Sequence, residues 1–562
     1  MIRLTPVSDS SAVSAAPGPP RRVTLVRGPL VSTVRAANNE ATPCIGLAYV
    51  AGYVRQYGYD VTIVDAIGEG LNRYWPLDDH PGYICQGLRF DEIVDRIPPD
   101  TQVIGVSAMF SGEWPVQRAL ITAIRARFPN ALIAAGGEHM TALPEYSLRD
   151  CPALDVCVRG EGEHPFYELL DRWLTAGSYE NVSGIAFLDA DGRFVLNGSL
   201  PRIKDVGTIP WPHWPEGYLE KFWAAGKSYG VCTERDMPML ISRGCPFQCT
   251  FCSSPQMWTT LYKLRPVDDV IAEIKFYQEK YAITAVQLYD LTAITKRSWT
   301  IEFCQRLLDE GIHLKWSLPS GTRSEALDRE TLEYLRRTGC NYLVYAPESG
   351  SPATLKMIKK KVHLDRLTAS ILEAKRQGLI LRTNLIIGFP GESRADIFQT
   401  LRYGVKLAVH GVDEVSVNLF SAYPGSEIFQ GLMAANKVKL DDAYFLGLTS
   451  MYSDFTKTDV PTFNDAMSAK ELSHWRLAFM LTGYVLGYLL RPARVLRTFR
   501  NVFFGSHEAA TVFEHRLKDA LGRFKVLAHA PAANHLPDGP TPALETGHGV
   551  QTDAVGRLQD GV

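Results

Sequence analysis

Three cysteines carry the clearest chemistry in this chain. Cys245, Cys249 and Cys252 lie in ISRGCPFQCTFCSS at a C-x3-C-x2-C spacing, with the aromatic Phe251 just before the third. Thiolates are the standard ligands of iron–sulfur clusters, and three of them can hold three irons of a cubane while the fourth iron keeps no protein ligand. An open iron is a place where a small cofactor can bind. A structural zinc site normally needs a fourth ligand, and the next cysteine after Cys252 is the distant Cys304. Disulfides fit poorly. The ten cysteines are mostly scattered singly along 562 residues, unlike the framework of a small secreted domain, so a reducing, cytoplasmic setting is expected.

The cysteines directly follow the strand-like run PMLISRG. That run opens a series continued by AVQLYDLTA, LKWSLPSG, YLVYAPESG, LRTNLIIGFPGE and EVSVNLFSAYPG, with helical patterns between most pairs. Five or six such units predict a partial or full α/β barrel of the TIM type, whose chemistry sits on the loops after its strands. Upstream, VTLVRG, VTIVDA, VIGVSAMF, ALIAAGGEH and LDVCVRGEGE alternate with amphipathic segments. This predicts a doubly wound, Rossmann-like α/β sheet with helices on its faces. Ligands of such sheets sit beyond the carboxyl ends of the strands. The candidate contacts there are Ser107, Met109, Gly136, Gly137, Glu138, His139, Gly160 and Glu161.

The remaining segments divide the chain. Residues 1–20 and 529–562 are rich in small residues, proline and glycine and are expected to be loose tails. Residues 21–195 form the first sheet, 196–232 a linker containing TIPWPHWPEGY, 233–460 the barrel, and 461–528 a small helical domain broken near Arg491 and Pro492. The linker tryptophans Trp211 and Trp214 are either pocket lining or core. The uncharged run Leu477–Leu490 is shorter than a bilayer span and is expected to be a buried helix. With 59 basic and 61 acidic side chains, nothing in the charge asks for nucleic acid. Lys359-Lys360-Lys361 reads as a solvated face.

The cysteine loop, the strand before it and Phe251 resemble those of the radical S-adenosylmethionine (SAM) enzymes. The resemblance implies a [4Fe–4S] cluster on Cys245, Cys249 and Cys252, with the amino and carboxylate groups of SAM on the open iron. It also implies cleavage of SAM to a 5′-deoxyadenosyl radical that takes hydrogen from an unactivated carbon, chemistry supplied by the cofactor rather than by side chains. APESGSPATLKMIKK and NLIIGFPGES are similar to later family segments. They imply SAM contacts at Glu348, Ser349, Gly388 and Glu392, with Phe251 beside the cluster. The chain departs from the family at AVQLYDLTA, where Tyr289 and Asp290 replace a Gly-Gly-Glu turn.

An open sheet ahead of such a barrel resembles the cobalamin-binding subclass, and this implies cobalamin as a further cofactor. The segment Asp78-Asp79-His80-Pro81-Gly82 departs from the Asp-x-His-x-x-Gly pattern and reads as a turn. Met109 and Phe110 are then candidates to cover the lower face of the corrin, with His139 as the competing residue. The function implied is methyl transfer to an unactivated carbon of a small biosynthetic intermediate. The alternatives are an oxidative cyclisation or rearrangement, as in anaerobic magnesium-protoporphyrin ester cyclases, or radical SAM chemistry without the corrinoid. An electron donor such as flavodoxin or ferredoxin is implied as a partner.

Overall fold

The computed structural model describes residues 21–36, 41–200, 202–227, 229, 231, 234–322, 326–454, 457, 458, 460–504, 511–518 and 521. The loose tails expected over 1–20 and 529–562 lie outside them.

The β-branched runs of the N-terminal half form five parallel strands: Arg22–Arg27, Asp60–Asp65, Val103–Ser107, Leu132–Gly136 and Val156–Val158. They stand side by side in the order second, first, third, fourth, fifth, and the antiparallel strands Ile185–Leu188 and Phe194–Leu196 extend the far edge. Central strands are buried almost end to end, as expected of a parallel sheet covered on both faces. The direction of winding reverses between Arg22–Arg27 and Val103–Ser107. Open α/β sheets bind ligands in the crevice at such a reversal. A smaller three-stranded antiparallel sheet of Leu30–Thr33, Tyr74–Pro76 and Tyr83–Gln86 stands beside it, and Asp78 to Gly82 forms its turn.

The second half has six parallel strands paired in chain order: Asp236–Met239, Ala285–Leu288, Lys315–Thr322, Cys340–Glu348, Ile380–Ile387 and Glu414–Leu419. This is a partial barrel. Burial alternates along Ile380–Ile387: Leu381, Leu385 and Ile387 pack with the helix residues Leu367, Ile371 and Ile397, so Arg382, Asn384 and Ile386 lie on the opposite, half-buried face.

The two halves share one core. Val106 and Trp114 of the first sheet pack in one cluster with Phe389 and Phe420 at the barrel strand ends and with Phe445 of the helix Asp442–Ser453. That helix belongs to the barrel side in sequence, yet it returns to Ser111–Glu113 and Leu30–Thr33. The linker is packed too. Trp214 is buried and stacks on Tyr218 at 5.7 Å, while Trp211 Nε1 donates to Asp269 at 2.9 Å. Both tryptophans are packing residues here.

Four buried charges cross the junction. Arg202 of the linker lies 2.8 Å from Glu161, and Arg243, two residues before Cys245, lies 2.7 Å from Glu163 and 3.9 Å from Glu161. The guanidinium of Arg243 sits over the Tyr49 ring at 4.6 Å, and Trp258 lies beside both arginines. Arg202 also donates to the Leu261 carbonyl at 2.9 Å.

The C-terminal helices Ala469–Leu489 and Ala493–Phe503 are separated at Arg491 and Pro492. The expectation of a buried helix over Leu477–Leu490 needs correction. Leu472, Arg476 and Phe479 take the inward face, and the i, i+4 row Leu477, Leu481, Val485 and Leu489 is exposed. Among the described residues no helix is long and apolar enough to cross a membrane.

Two outcomes follow. Arg202→Met leaves Glu161 buried without its closest cation, and is expected to lower the unfolding free energy by about 3 kcal/mol. Adding Glu161→Met should restore part of the loss. An unchanged denaturation midpoint in the single variant contradicts the network. His139 is fully buried, with Ser111 Oγ 3.0 Å from Nδ1 and Ser147 Oγ 3.1 Å from Nε2. Burial lowers it to about 3 from the usual 6.5. The unfolded chain therefore binds the extra proton first, so this contribution is whole above pH 6.5 and is lost as pH falls towards 3. The thermal midpoint of the wild type should fall over that window more steeply than that of His139→Gln, and parallel profiles would refute the assignment.

Candidate active site

The cluster loop is held from beneath. Arg243 ends the short strand Ser242–Arg243, which pairs with Lys263–Leu264. Just before it, Asp290 accepts from the amides of Ile241 and Ser242 and from Ser242 Oγ, at 3.1, 2.5 and 2.5 Å. Asp290 is therefore a buttress of the loop's entrance. Burial pushes it up to about 6, against those donors.

Cys245, Cys249 and Cys252 are all half-buried and free of disulfides. The Cys252 amide donates to the Cys249 carbonyl at 3.1 Å, and its thiol to Ser254 Oγ at 3.2 Å. Among the described residues no three His, Cys, Asp or Glu side chains gather around a single-ion position. A cubane spreads its thiolates over separate irons and does not require such a gathering. Burial pushes the Cys252 thiol up to about 11, so iron must expel its proton on binding, as metals do with coordinating thiols. Half-exposed, unbridged thiols on a loop at the barrel's carboxyl edge suit a cluster that leaves one iron open.

Phe251 packs edge-on against Phe389 at 5.7 Å, and Phe389 lies 5.1 Å from Phe420. The aromatic before the third cysteine thus joins the cluster loop to the GFPGE turn. Glu392 ties that turn: it accepts from the amides of Gly388 and Phe389 at 2.7 and 3.1 Å and from Thr354 Oγ1 at 3.1 Å. Burial pushes Glu392 up to about 7. Asn464 of the C-terminal region donates to the carbonyls of Phe389 and Glu392 at 2.7 and 2.9 Å.

Ser349 is fully buried, 2.7 Å from Thr400 Oγ1, and accepts from the Ser351 amide. Both it and Glu392 are committed to holding turns. Glu348 is held at φ +65°, a region costly for a side-chain-bearing residue, and it pairs with Lys360 at 3.0 Å. Lys360 is nearly buried, so the lysine triplet is not a uniform solvated face: its middle member turns inward, while Lys359 meets Glu427 outside.

The first sheet presents its carboxyl edge to this loop. Helix Glu138–Ala142 packs against helix Ser254–Trp258, next to Cys252. Burial pushes Glu138 up to about 7. A side chain on Gly425, at φ +89°, would meet Ala142, Ser253 and Gln256 at 3.2, 3.3 and 2.8 Å. The Ser111 amide donates to Tyr423 OH at 3.1 Å, so Tyr423 is an interdomain contact. Met109 and Phe110, just beyond Ser107, are 38% and 54% exposed. Gly137 has φ +123°, and a Cβ there would lie 2.7 Å from the Ala108 carbonyl oxygen. Only glycine lets these two strand ends pass so closely. Ser107 and Gly136 are paired neighbours on the same edge, and Gly160 receives Thr141 as acceptor of its amide at 2.9 Å.

An apolar ledge at a winding reversal, bared by glycine, suits a large flat ring. His139 and Glu161 are not on that ledge. His139 has both ring nitrogens engaged, and Glu161 is taken by Arg202, Arg243 and the Ile203 amide. Arg202 and Arg243 were not anticipated from the sequence. The available signal was an arginine at the end of the apolar strand PMLISRG, where a buried charge demands a partner.

Comparison with known proteins agrees with this geometry. The model of the B12 binding domain matches residues 32–170, and that of the Radical SAM superfamily matches residues 239–404. The chain is 28% identical over 440 residues to the cytidylyl-2-hydroxyethylphosphonate methyltransferase of Streptomyces wedmorensis, covering 72% of this chain and 80% of that one. It is 26% identical over 405 residues to the anaerobic magnesium-protoporphyrin IX monomethyl ester cyclase of Rubrivivax gelatinosus, covering 71% and 68%. The fold matches the radical SAM methyltransferase TsrM from Kitasatospora setae, solved with cobalamin and a [4Fe–4S] cluster, at a TM-score of 0.56 and 13% identity over 83% of this chain and 89% of that one. With both domains matched and their strand ends brought face to face, the chain joins a B12 binding domain to a Radical SAM domain, the arrangement of its cobalamin-dependent radical SAM neighbours, and its cofactors are a [4Fe–4S] cluster, SAM and cobalamin.

Proposed function

We propose that this enzyme transfers a methyl group to an unactivated carbon of a small biosynthetic intermediate. The observation that carries the reading is the apposition of the two carboxyl edges, fastened by Ser111 to Tyr423 and by helix Glu138–Ala142 on helix Ser254–Trp258. Apposed edges give both cofactors access to one substrate. The methyltransferase relative, aligned over most of both chains, supports the same reading.

When bound, the cluster and SAM supply a hydrogen-abstracting group, and cobalamin supplies the methyl group. The chain's own residues hold and screen these groups. Cys245, Cys249 and Cys252 hold the irons, and the Phe251–Phe389 contact shields the loop from water. Glu348 and Gly388 are the proposed SAM contacts, with Ser349 and Glu392 fixing the turns that carry them. Ser107, Met109, Gly136, Gly137, Glu138 and Gly160 would line the corrin, with Met109 and Phe110 as the residues that would cover the ring. His139 and Glu161 act behind that edge. Electrons are proposed to come from a flavodoxin or ferredoxin.

The cyclase relative favours a second reading, oxidative cyclisation or rearrangement with the same cofactors. Anaerobic turnover of reconstituted protein with SAM, reductant and hydroxocobalamin separates the two. Methyl transfer predicts 5′-deoxyadenosine and S-adenosylhomocysteine together, both falling to background in Cys245→Ala. Deoxyadenosine alone would overturn methyl transfer in favour of the second reading.

A further inference from the structure

The two C-terminal helices both carry an exposed apolar row. In Ala493–Phe503 two cations face the protein: Arg494 lies 3.1 Å from Asp413 and Arg497 3.2 Å from Glu514, both acid side chains being buried. Leu496, Phe499 and Phe503 face solvent, 74%, 54% and 60% exposed. On Ala469–Leu489 the row Leu481, Val485 and Leu489 is 58%, 54% and 73% exposed. The hydroxyls of Tyr488 and Thr498, 3.0 Å apart, tie the two helices together. A helix bathed in water puts its apolar stripe on the core and its charges outside. Six large apolar side chains on the outer sides of consecutive helices therefore mark a contact surface.

The surrounding charge names the partner. From Leu472 to His507 there is no Asp or Glu; of the five arginines there, Arg476 and Arg494 are buried and Arg497 pairs with Glu514, which leaves Arg491 and Arg500 nearer the surface. Arg500 is exposed beside Phe499. On the helix Arg394–Val409, which packs against Ala469–Leu489, Arg402 and Lys406 are exposed one turn apart. An apolar face with cationic flanks complements an anionic phospholipid surface, where acyl chains receive the apolar groups and headgroup phosphates the cations. A second copy of the chain fits less well, because a symmetric contact sets like charges against one another. The chain's own sequence beyond Leu521 carries a single aromatic residue, Phe524, and is interrupted by proline and glycine.

We propose that this face seats the enzyme on the surface of an anionic phospholipid bilayer, with both helices lying along the interface. The test is flotation of the full chain, handled anaerobically, with vesicles of phosphatidylglycerol and phosphatidylethanolamine, and separately with phosphatidylcholine alone. The wild type should float with the anionic vesicles and more weakly with phosphatidylcholine. Leu489→Ser/Leu496→Ser/Phe503→Ser changes exposed positions only, should keep the circular dichroism and thermal midpoint, and should lower vesicle partition by about tenfold. Arg402→Gln/Lys406→Gln should narrow the gap between the two vesicle types. Failure of the wild type to float with anionic vesicles overturns the proposal. So does a dimer in sedimentation that the triple serine variant dissociates, which would make a second copy the occupant.

Discussion

The pairing of Glu161 and Glu163 with Arg202 and Arg243 governs how the rest of the molecule can be arranged. All four side chains are nearly dry. Removing such ions from water is expensive, and only close, well-directed partners offset the cost. The arrangement adds little net stability and tolerates very little displacement. Glu161 and Glu163 leave the last parallel strand of the first sheet, Arg202 lies in the linker, and Arg243 stands next to the cluster loop. One charge network therefore sets the first sheet, the connection and the cysteines in a single register. Asp290 and the shared aromatic core around Phe389, Phe420 and Trp114 fix the same loop from other sides.

That register sets two sheets of familiar design edge to edge. Each sheet gathers its functional loops at its carboxyl edge for ordinary reasons of strand direction and helix crossover. Chemistry needing two large cofactors on one substrate requires the two edges to face each other. The means are visible: the glycine at 137 that lets two strand ends pass, Tyr423 reaching across to Ser111, and helix Asp442–Ser453 folding back from the barrel side onto the first sheet. One strained backbone position is held by its neighbours. Glu348 keeps its left-handed backbone because Lys360 holds its carboxylate and Ser349 is fastened to Thr400 behind it.

Much of this was legible in the chain itself. The C-x3-C-x2-C loop is a local spacing, and the two strand and helix series are carried by β-branched runs with helical periods between them, so both were readable without a fold. What escaped was long-range or inverted. Glu163 lies eighty residues from Arg243, and no local pattern joins them. Lys360 sits in a run of three lysines that looks solvated, yet only its neighbours face water. The short strands Leu30–Thr33, Tyr74–Pro76 and Tyr83–Gln86 are too brief to show a period. The run Leu477–Leu490 is apolar enough to suggest burial, and composition alone carries no statement about which face is covered. The family resemblance of two motifs points to Ser349 and Glu392 as cofactor contacts, and it carries no sign of the hydrogen bonds by which both side chains hold their turns.

The central claim is that the corrin ledge and the cluster loop open on one chamber. Its most direct test is electron paramagnetic resonance of protein loaded with both cob(II)alamin and the cluster. Reducing the cluster to its paramagnetic state should broaden or split the cob(II)alamin lines through spin coupling across the chamber. Cob(II)alamin lines that are identical with the cluster oxidised and reduced would contradict the claim.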